Sequence, residues 1–139
     1  MADPASPLAT AVARVGDRWT LLVIQALLDS PRRFGELRGA IPGIASNVLS
    51  QRLKHLVAEE LVAADAYTQR PPRFTYALTP AGQQLAGALR LLAAWGAEHG
   101  DDTDAPHHVL CGTALQVRWF CPTCEVVVAE ADTDDLRYA

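Results

Sequence analysis

The sequence predicts a mainly α-helical domain that carries a β-hairpin, followed by a small C-terminal β-hairpin appendage. Three observations predict it. Apolar residues recur at three- and four-residue spacing up to about residue 60 and again over 80–98. Between these stretches the period falls to two on either side of a Pro71-Pro72 tip. Beyond the acidic, helix-poor stretch Gly100-Asp101-Asp102-Thr103-Asp104-Ala105-Pro106, the pattern is again that of strands. The division that follows is a main domain over 1–99, an acidic linker over 100–106 and an extension with three cysteines over 107–139.

The first helix runs from about Pro7 to Val15, proline being tolerated in a first turn. After Gly16-Asp17, a second helix over about 18–28 turns Trp19, Leu22, Val23, Ala26 and Leu27 inward, and Ser30-Pro31 stops it. A short helix over about 34–40 places Phe34, Leu37 and Ile41 on one side, and Ile41-Pro42-Gly43 forms a tight turn. The next helix, about 46–60, has Leu49, Leu53, Leu56 and Val57 as its inward stripe and Ser46, Asn47, Ser50, Gln51 and Lys54 facing outward. Strands over 61–68 and 73–78 flank the turn Gln69-Arg70-Pro71-Pro72. Thr79 then caps, and Pro80 opens, a last helix reaching about Glu98, with Leu85, Leu89, Leu92 and Trp95 among many alanines. Helix, helix, short helix, turn, helix and hairpin is the order of a winged helix-turn-helix.

Composition fits one domain with an appendage: 139 residues, half of them apolar. No apolar run approaches the roughly 20 residues needed to span a bilayer, so no membrane partner is expected. The N-terminal stretch lacks a basic region followed by a pure apolar one, so it is not read as a signal peptide, and the cytoplasm is the expected location. The net charge of −4 hides an asymmetry: residues 1–99 hold ten Lys/Arg against eight Asp/Glu, whereas 100–139 hold two against eight. The acidity belongs to the tail, and a local basic surface is what phosphate contact requires.

A helix that enters a major groove must be apolar behind and short and polar in front. Asn47 and Gln51 lie four apart on one face, and their amides both donate and accept to base edges. Ser46, Ser50 and Lys54 suit phosphate or base contact, and Arg52, one residue off that face, is placed to reach the flanking backbone. In the hairpin tip, Arg70 and Arg73 flank two stiffening prolines and suit phosphates or a minor groove. Arg32 and Arg33, where the chain enters the short helix, are candidates for backbone contact.

The segment GDRWTLLVIQALLDSPRRFGELRGAIPGIASNVLSQRLKHLVAEELV and the wing QRPPRFTYALTPAGQQL together resemble the HxlR family of bacterial winged-helix regulators, over about residues 6–98. The resemblance implies a dimeric DNA-binding repressor or activator whose first and last domain helices form the dimer contact. Many members carry a sensing cysteine near the start of the first helix. Here the matching position is Ser6, whose hydroxyl cannot do thiolate chemistry. The recognition helix also departs from the family pattern at Ala45 and Asn47, so the operator is not transferable.

The tail leaves three readings open. His108-Val-Leu-Cys111-Gly112 and Cys121-Pro-Thr-Cys124 have zinc-knuckle spacing. Thr113–Phe120 alternates, with Leu115, Val117 and Trp119 on one face, and as a strand from Cys111 to Cys121 it would hold the halves roughly 33 Å apart. The favoured reading is a hairpin of 113–120 with 125–130, turned by Cys121–Cys124, with incidental thiols; a redox pair and a zinc site are the others. No metal or cofactor is assigned on this basis. His55 and His99 read as ordinary helix histidines.

No nucleophile elbow, phosphate-binding loop or paired carboxylates point to an enzyme. The leading function is a sequence-specific DNA-binding regulator acting as a homodimer on double-stranded DNA. The alternatives are a winged-helix protein-interaction module and a thiol- or metal-responsive sensor using the tail cysteines. A small-molecule effector site between the tail and the dimer helices stays open, with no residue pattern to name its ligand.

Overall fold

The computed structural model describes residues 6–100 and 105–128. The order is α1 (Pro7–Val15), α2 (Arg18–Leu27), β1 (Arg32–Arg33), α3 (Phe34–Ala40), α4 (Ser46–Ala58), β2 (Val62–Gln69), β3 (Pro72–Leu78), α5 (Pro80–Gln83), α6 (Ala86–His99), β4 (Trp119–Cys121) and β5 (Val126–Val128). Backbone packing divides the chain into two units, Met1–Leu89 and Arg90–Ala139.

In the first unit the helices start where local chemistry satisfies their free N–H groups. The Ser6 hydroxyl accepts from Ala9 N–H at 3.1 Å and caps α1. Asp17 caps α2, accepting from Trp19 N–H at 3.0 Å and Thr20 N–H at 3.1 Å. Its Oδ1 is also 3.3 Å from the Thr20 hydroxyl, which lets that buried threonine sit among leucines without an orphaned polar group. At α3, Glu36 reaches back to accept from Arg33 N–H at 2.6 Å.

The core is Val15 of α1, Val23, Ile24 and Leu27 of α2, Leu37 of α3, and Leu49, Leu53 and Leu56 of α4, closed by Ile41, Ile44, Leu61 and Val62. Each such side chain contributes about 1.5–3 kcal/mol by leaving water. Two inward stripes differ from the sequence reading. In α2 the buried set is Thr20, Val23, Ile24 and Leu27, while Trp19, Leu22 and Ala26 are half-buried. The hydroxyl of Thr20 is satisfied locally, so it turns inward as readily as a valine. In α4, Val57 faces solvent and Leu49, Leu53 and Leu56 carry the packing.

The sheet has the antiparallel order β1-β3-β2. The hairpin pairs Val62 with Leu78 and Gln69 with Pro72, with an irregularity between Ala66 and Thr68. Both strands reach one residue further into the tip than the sequence suggests. Strand β1 was unforeseen: two residues pair Arg32 with Tyr76 and Arg33 with Thr75.

The last helix is not continuous. It breaks at Gln84-Leu85, where Leu85 N–H bonds Gly82 O at 3.1 Å in a tightened three-residue turn. The cause is the docking of α5: Thr79 N–H donates to Leu61 O at 3.0 Å, and the Thr79 hydroxyl donates to Glu60 O at 2.7 Å. This brings Gly82 so close that a Cβ there would stand 2.2 Å from Leu61 O.

In the second unit, α6 continues to His99, and the ring of Trp95 stacks on His99 at 4.5 Å. Strands β4 and β5 pair Trp119 with Val128 and Cys121 with Val126. The strand expected over 113–120 is formed only at Trp119-Phe120. Residues 113–115 pair with 106–108 through the bridge of His107 with Ala114, and 116–118 are irregular, with neither face of the stretch buried among the described residues. Of the strand expected over 125–130, β5 forms from Val126 to Val128, Glu125 belongs to the turn, and residues 129 and 130 lie outside the described set, as do 101–104 of the linker.

Candidate nucleic-acid interface

One hydrophobic row places α4. Leu49, Leu53 and Leu56 anchor its back, which leaves Asn47, Gln51 and Lys54 on one outward face at i, i+4 and i+7. All three are exposed, as is Ser46, while Ser50 is half-buried. The tight turn before α4 uses Gly43 at φ 79°, a conformation that favours glycine. Ala45 at the cap position offers no side-chain acceptor, so no side chain at that position closes off the first N–H groups of α4.

Arg38 of α3 donates to Ser46 Oγ at 3.1 Å, placing a guanidinium beside the start of α4. Sequence reasoning passed over this residue. Its spacing eight before Ser46 becomes meaningful only once the α3–α4 turn is known. Arg52, expected to reach outward, is instead paired with Asp17, Nε to Oδ1 at 3.1 Å. Desolvation opposes ionisation of Asp17, but the N–H groups of Thr20 and Trp19, the Arg52 charge and the Thr20 hydroxyl outweigh it and hold the carboxyl below its ordinary range. Arg52 therefore clasps α4 to the start of α2.

The wing meets α3 through β3 and α4 through β2. Arg33 and Arg73 line the same open groove, together with Tyr67, Phe74 and Tyr76. Arg33 lies over the Tyr67 ring, 4.5 Å from its centroid, which fixes its direction. On the other side, Ser50 and Lys54 line a groove with Phe74 and Tyr76. The aromatic pair Phe74 and Tyr76, 6.3 Å apart, thus stands between the α4 side chains and the two arginines. Burial pushes the Tyr76 hydroxyl above its usual range and keeps it neutral. Arg70 is exposed at the tip, where the Thr68 hydroxyl donates to Pro71 O at 2.7 Å and the Arg70–Pro71 bond is cis. Arg32, the other arginine read as a backbone contact, points inward and donates to Ala26 O at 2.7 Å.

Other expected residues have structural roles. His55 Nε2 is 2.7 Å from Arg14 O, and Arg14 pairs with Glu59, tying the ends of α1 and α4 together. The Arg14 guanidinium, against slight desolvation, holds the Glu59 carboxyl below its usual range.

An α3–turn–α4 pair followed by the β2–β3 ribbon and braced by α2 defines the winged helix-turn-helix class. Residues 14–104 match the model of the HxlR-like helix-turn-helix family. The chain belongs to that family, and with it to the transcriptional regulators. An uncharacterized HTH-type transcriptional regulator of Mycobacterium bovis is 36% identical over 118 residues, covering 82% of this chain and 74% of its own. A putative MarR-family regulator from Porphyromonas gingivalis superposes with TM-score 0.65 at 34% identity, over 70% of this chain and 96% of the other. The reduced form of the transcriptional regulator YodB from Bacillus subtilis superposes with TM-score 0.58 at 34% identity, over 73% and 100%. Among the described residues no helix is long and apolar enough to cross a membrane.

Proposed function

We propose that the protein regulates transcription by binding duplex DNA as a homodimer, with α4 in the major groove and the wing tip, residues 69–73, on the backbone or in the minor groove. The observation that carries this reading is the pairing of two surfaces: the exposed polar face of α4 and the arginines Arg33 and Arg73, set on either side of Phe74 and Tyr76. Asn47 and Gln51 read base edges; Ser46, Ser50 and Lys54 contact phosphate or base; Arg33, Arg70 and Arg73 contact backbone. Arg38 joins the phosphate set, beside the uncapped start of α4, whose N–H groups favour an anion.

The dimer reading rests on apolar side chains with no cover. On α1, Leu8 is 72% exposed and Val12 is exposed with it; on α6, Leu92 is exposed and Trp95 is 63% exposed. Large aromatic and leucine side chains at such exposure mark a protein–protein surface. The sensing role attached to the first-helix cysteine elsewhere is absent from this reading, since Ser6 is engaged as a helix cap.

The test is binding of the purified protein to specific and random duplexes across a salt series. Arg73→Ala should weaken binding to both and reduce the salt slope by about 0.9. Gln51→Ala should mainly erode preference between sequences, by about 1–3 kcal/mol at the affected base pair. Equal loss on both duplexes from both substitutions contradicts these roles. Absence of any salt dependence favours a winged helix turned to protein partners.

A further inference from the structure

Two chemically unlike segments of the second unit adopt the same turn. In His108-Val-Leu-Cys111-Gly112, Gly112 N–H donates to His108 O at 2.7 Å and Gly112 lies at φ 70°. In Cys121-Pro-Thr-Cys124-Glu125, Glu125 N–H donates to Cys121 O at 2.8 Å and Glu125 lies at φ 56°. Each turn caps a short antiparallel pair: His107 with Ala114, and β4 with β5. In each, the first and fourth residues carry soft metal donors. His108 Nδ1 is 3.2 Å from Cys111 Sγ, so these two donors already converge. A glutamate held at positive φ is unusual, and this turn is what demands it.

A second observation is independent of the turns. Among the described residues of this unit no side chain is buried. Val109 and Leu110 are each 90% exposed, and Leu115, Val117, Trp119, Phe120, Val126 and Val127 are exposed too. Ordering a residue costs about 1–2 kcal/mol in backbone entropy alone, which a segment without a core cannot offset. Units this small are held by a disulfide or a structural metal. All three cysteines are free.

We infer that residues 105–128 form a structural zinc module, in which His108, Cys111, Cys121 and Cys124 ligate one tetrahedral Zn²⁺. Three thiolates and one imidazole are a closed structural set, and sulfur-rich donors select zinc over magnesium or calcium. Binding releases three thiol protons to solvent and leaves the site with net charge −1. The halves stand open in the structure: among the described residues no three His, Cys, Asp or Glu are gathered closely enough to hold an ion. Closure is a movement of residues 113–118. The rigid strand that would have kept the halves roughly 33 Å apart is not there. Apart from the bridge at Ala114 this stretch is irregular, and its Leu115 N–H bond to Pro106 O at 2.8 Å strengthens the first hairpin without fixing the second. The inference does not depend on the DNA-binding reading.

The test uses the full chain, purified reduced and without chelator. Elemental analysis should find about one zinc per chain that survives dialysis and leaves on thiol modification. Exchange with Co²⁺ should give the intense visible bands of a tetrahedral ion and sulfur-to-cobalt charge transfer. Cys124→Ser and Cys111→Ser should each weaken zinc binding by more than the roughly 10–100-fold that loss of an outer partner costs. His108→Ala should weaken it too while retaining the charge-transfer band. Far-substoichiometric zinc with no tetrahedral cobalt spectrum overturns the inference, as does a resting Cys121–Cys124 disulfide. Zinc binding that persists unchanged in Cys111→Ser overturns it as well.

Discussion

The two units of this chain are stabilised in different ways. The first buries a full set of leucines, isoleucines and valines around α4, its helix starts are capped by Ser6, Asp17 and Thr79, and Arg52 is ion-paired with Asp17. The second is as rich in apolar residues along 109–128 but buries none of them among its described residues. Apolar content therefore does not make a core. A core needs two or more elements long enough to present a face to each other, and three-residue strands such as β4 and β5 do not.

The contrast is broken or confirmed most sharply by one truncation in each unit. Leu53→Ala, at a fully buried site on α4, should cost about 2–5 kcal/mol in chemical denaturation. Leu115→Ala should stay within about 0.5 kcal/mol. Comparable losses would mean that the tail has a core of its own.

Gly82→Ala should come next. Its Cβ would meet Leu61 O at 2.2 Å, so α5 must shift at a cost of about 1–3 kcal/mol, read as a lowered Tm. A neutral result would show that the docking of α5 on Leu61 is loose.

Asp17 gives the smallest effect expected within the first unit and sharpens the account of it. Asp17→Ala should cost about 1 kcal/mol through the lost cap. The folded carboxyl titrates below its unfolded value of about 3.9, so its ionic contribution is present above that pH. That contribution is lost as pH falls through the lower folded value. Asp17→Asn keeps a capping oxygen, so it should flatten this acid limb of stability while retaining most of the cap. An unchanged acid limb contradicts the assignment.

Much of the first unit was legible in the sequence because its signals are local. Proline at the first turn, Asp17 before Arg18, the Pro42-Gly43 turn and the change of period at Leu61 all act within a few residues. The errors arose where a distant partner decides. The break at Gln84-Leu85 depends on Leu61 accepting from Thr79, and β1 exists only because β3 lies beside Arg32-Arg33. Thr20 reads as polar until Asp17 is seen to satisfy it. For the candidate interface, the face of α4 was legible from spacing alone. The diversion of Arg52 to Asp17 and the approach of Arg38 to Ser46 were not, since both join residues on separate helices.

The central claim is that the protein is a dimeric, sequence-specific reader of duplex DNA. It is tested most directly by incubating the purified protein with random duplexes at two salt concentrations and sequencing those retained. The account predicts an enriched near-palindrome, its half-sites spaced by about one helical turn, and retention that falls steeply with salt. No enrichment, with retention indifferent to salt, would contradict it.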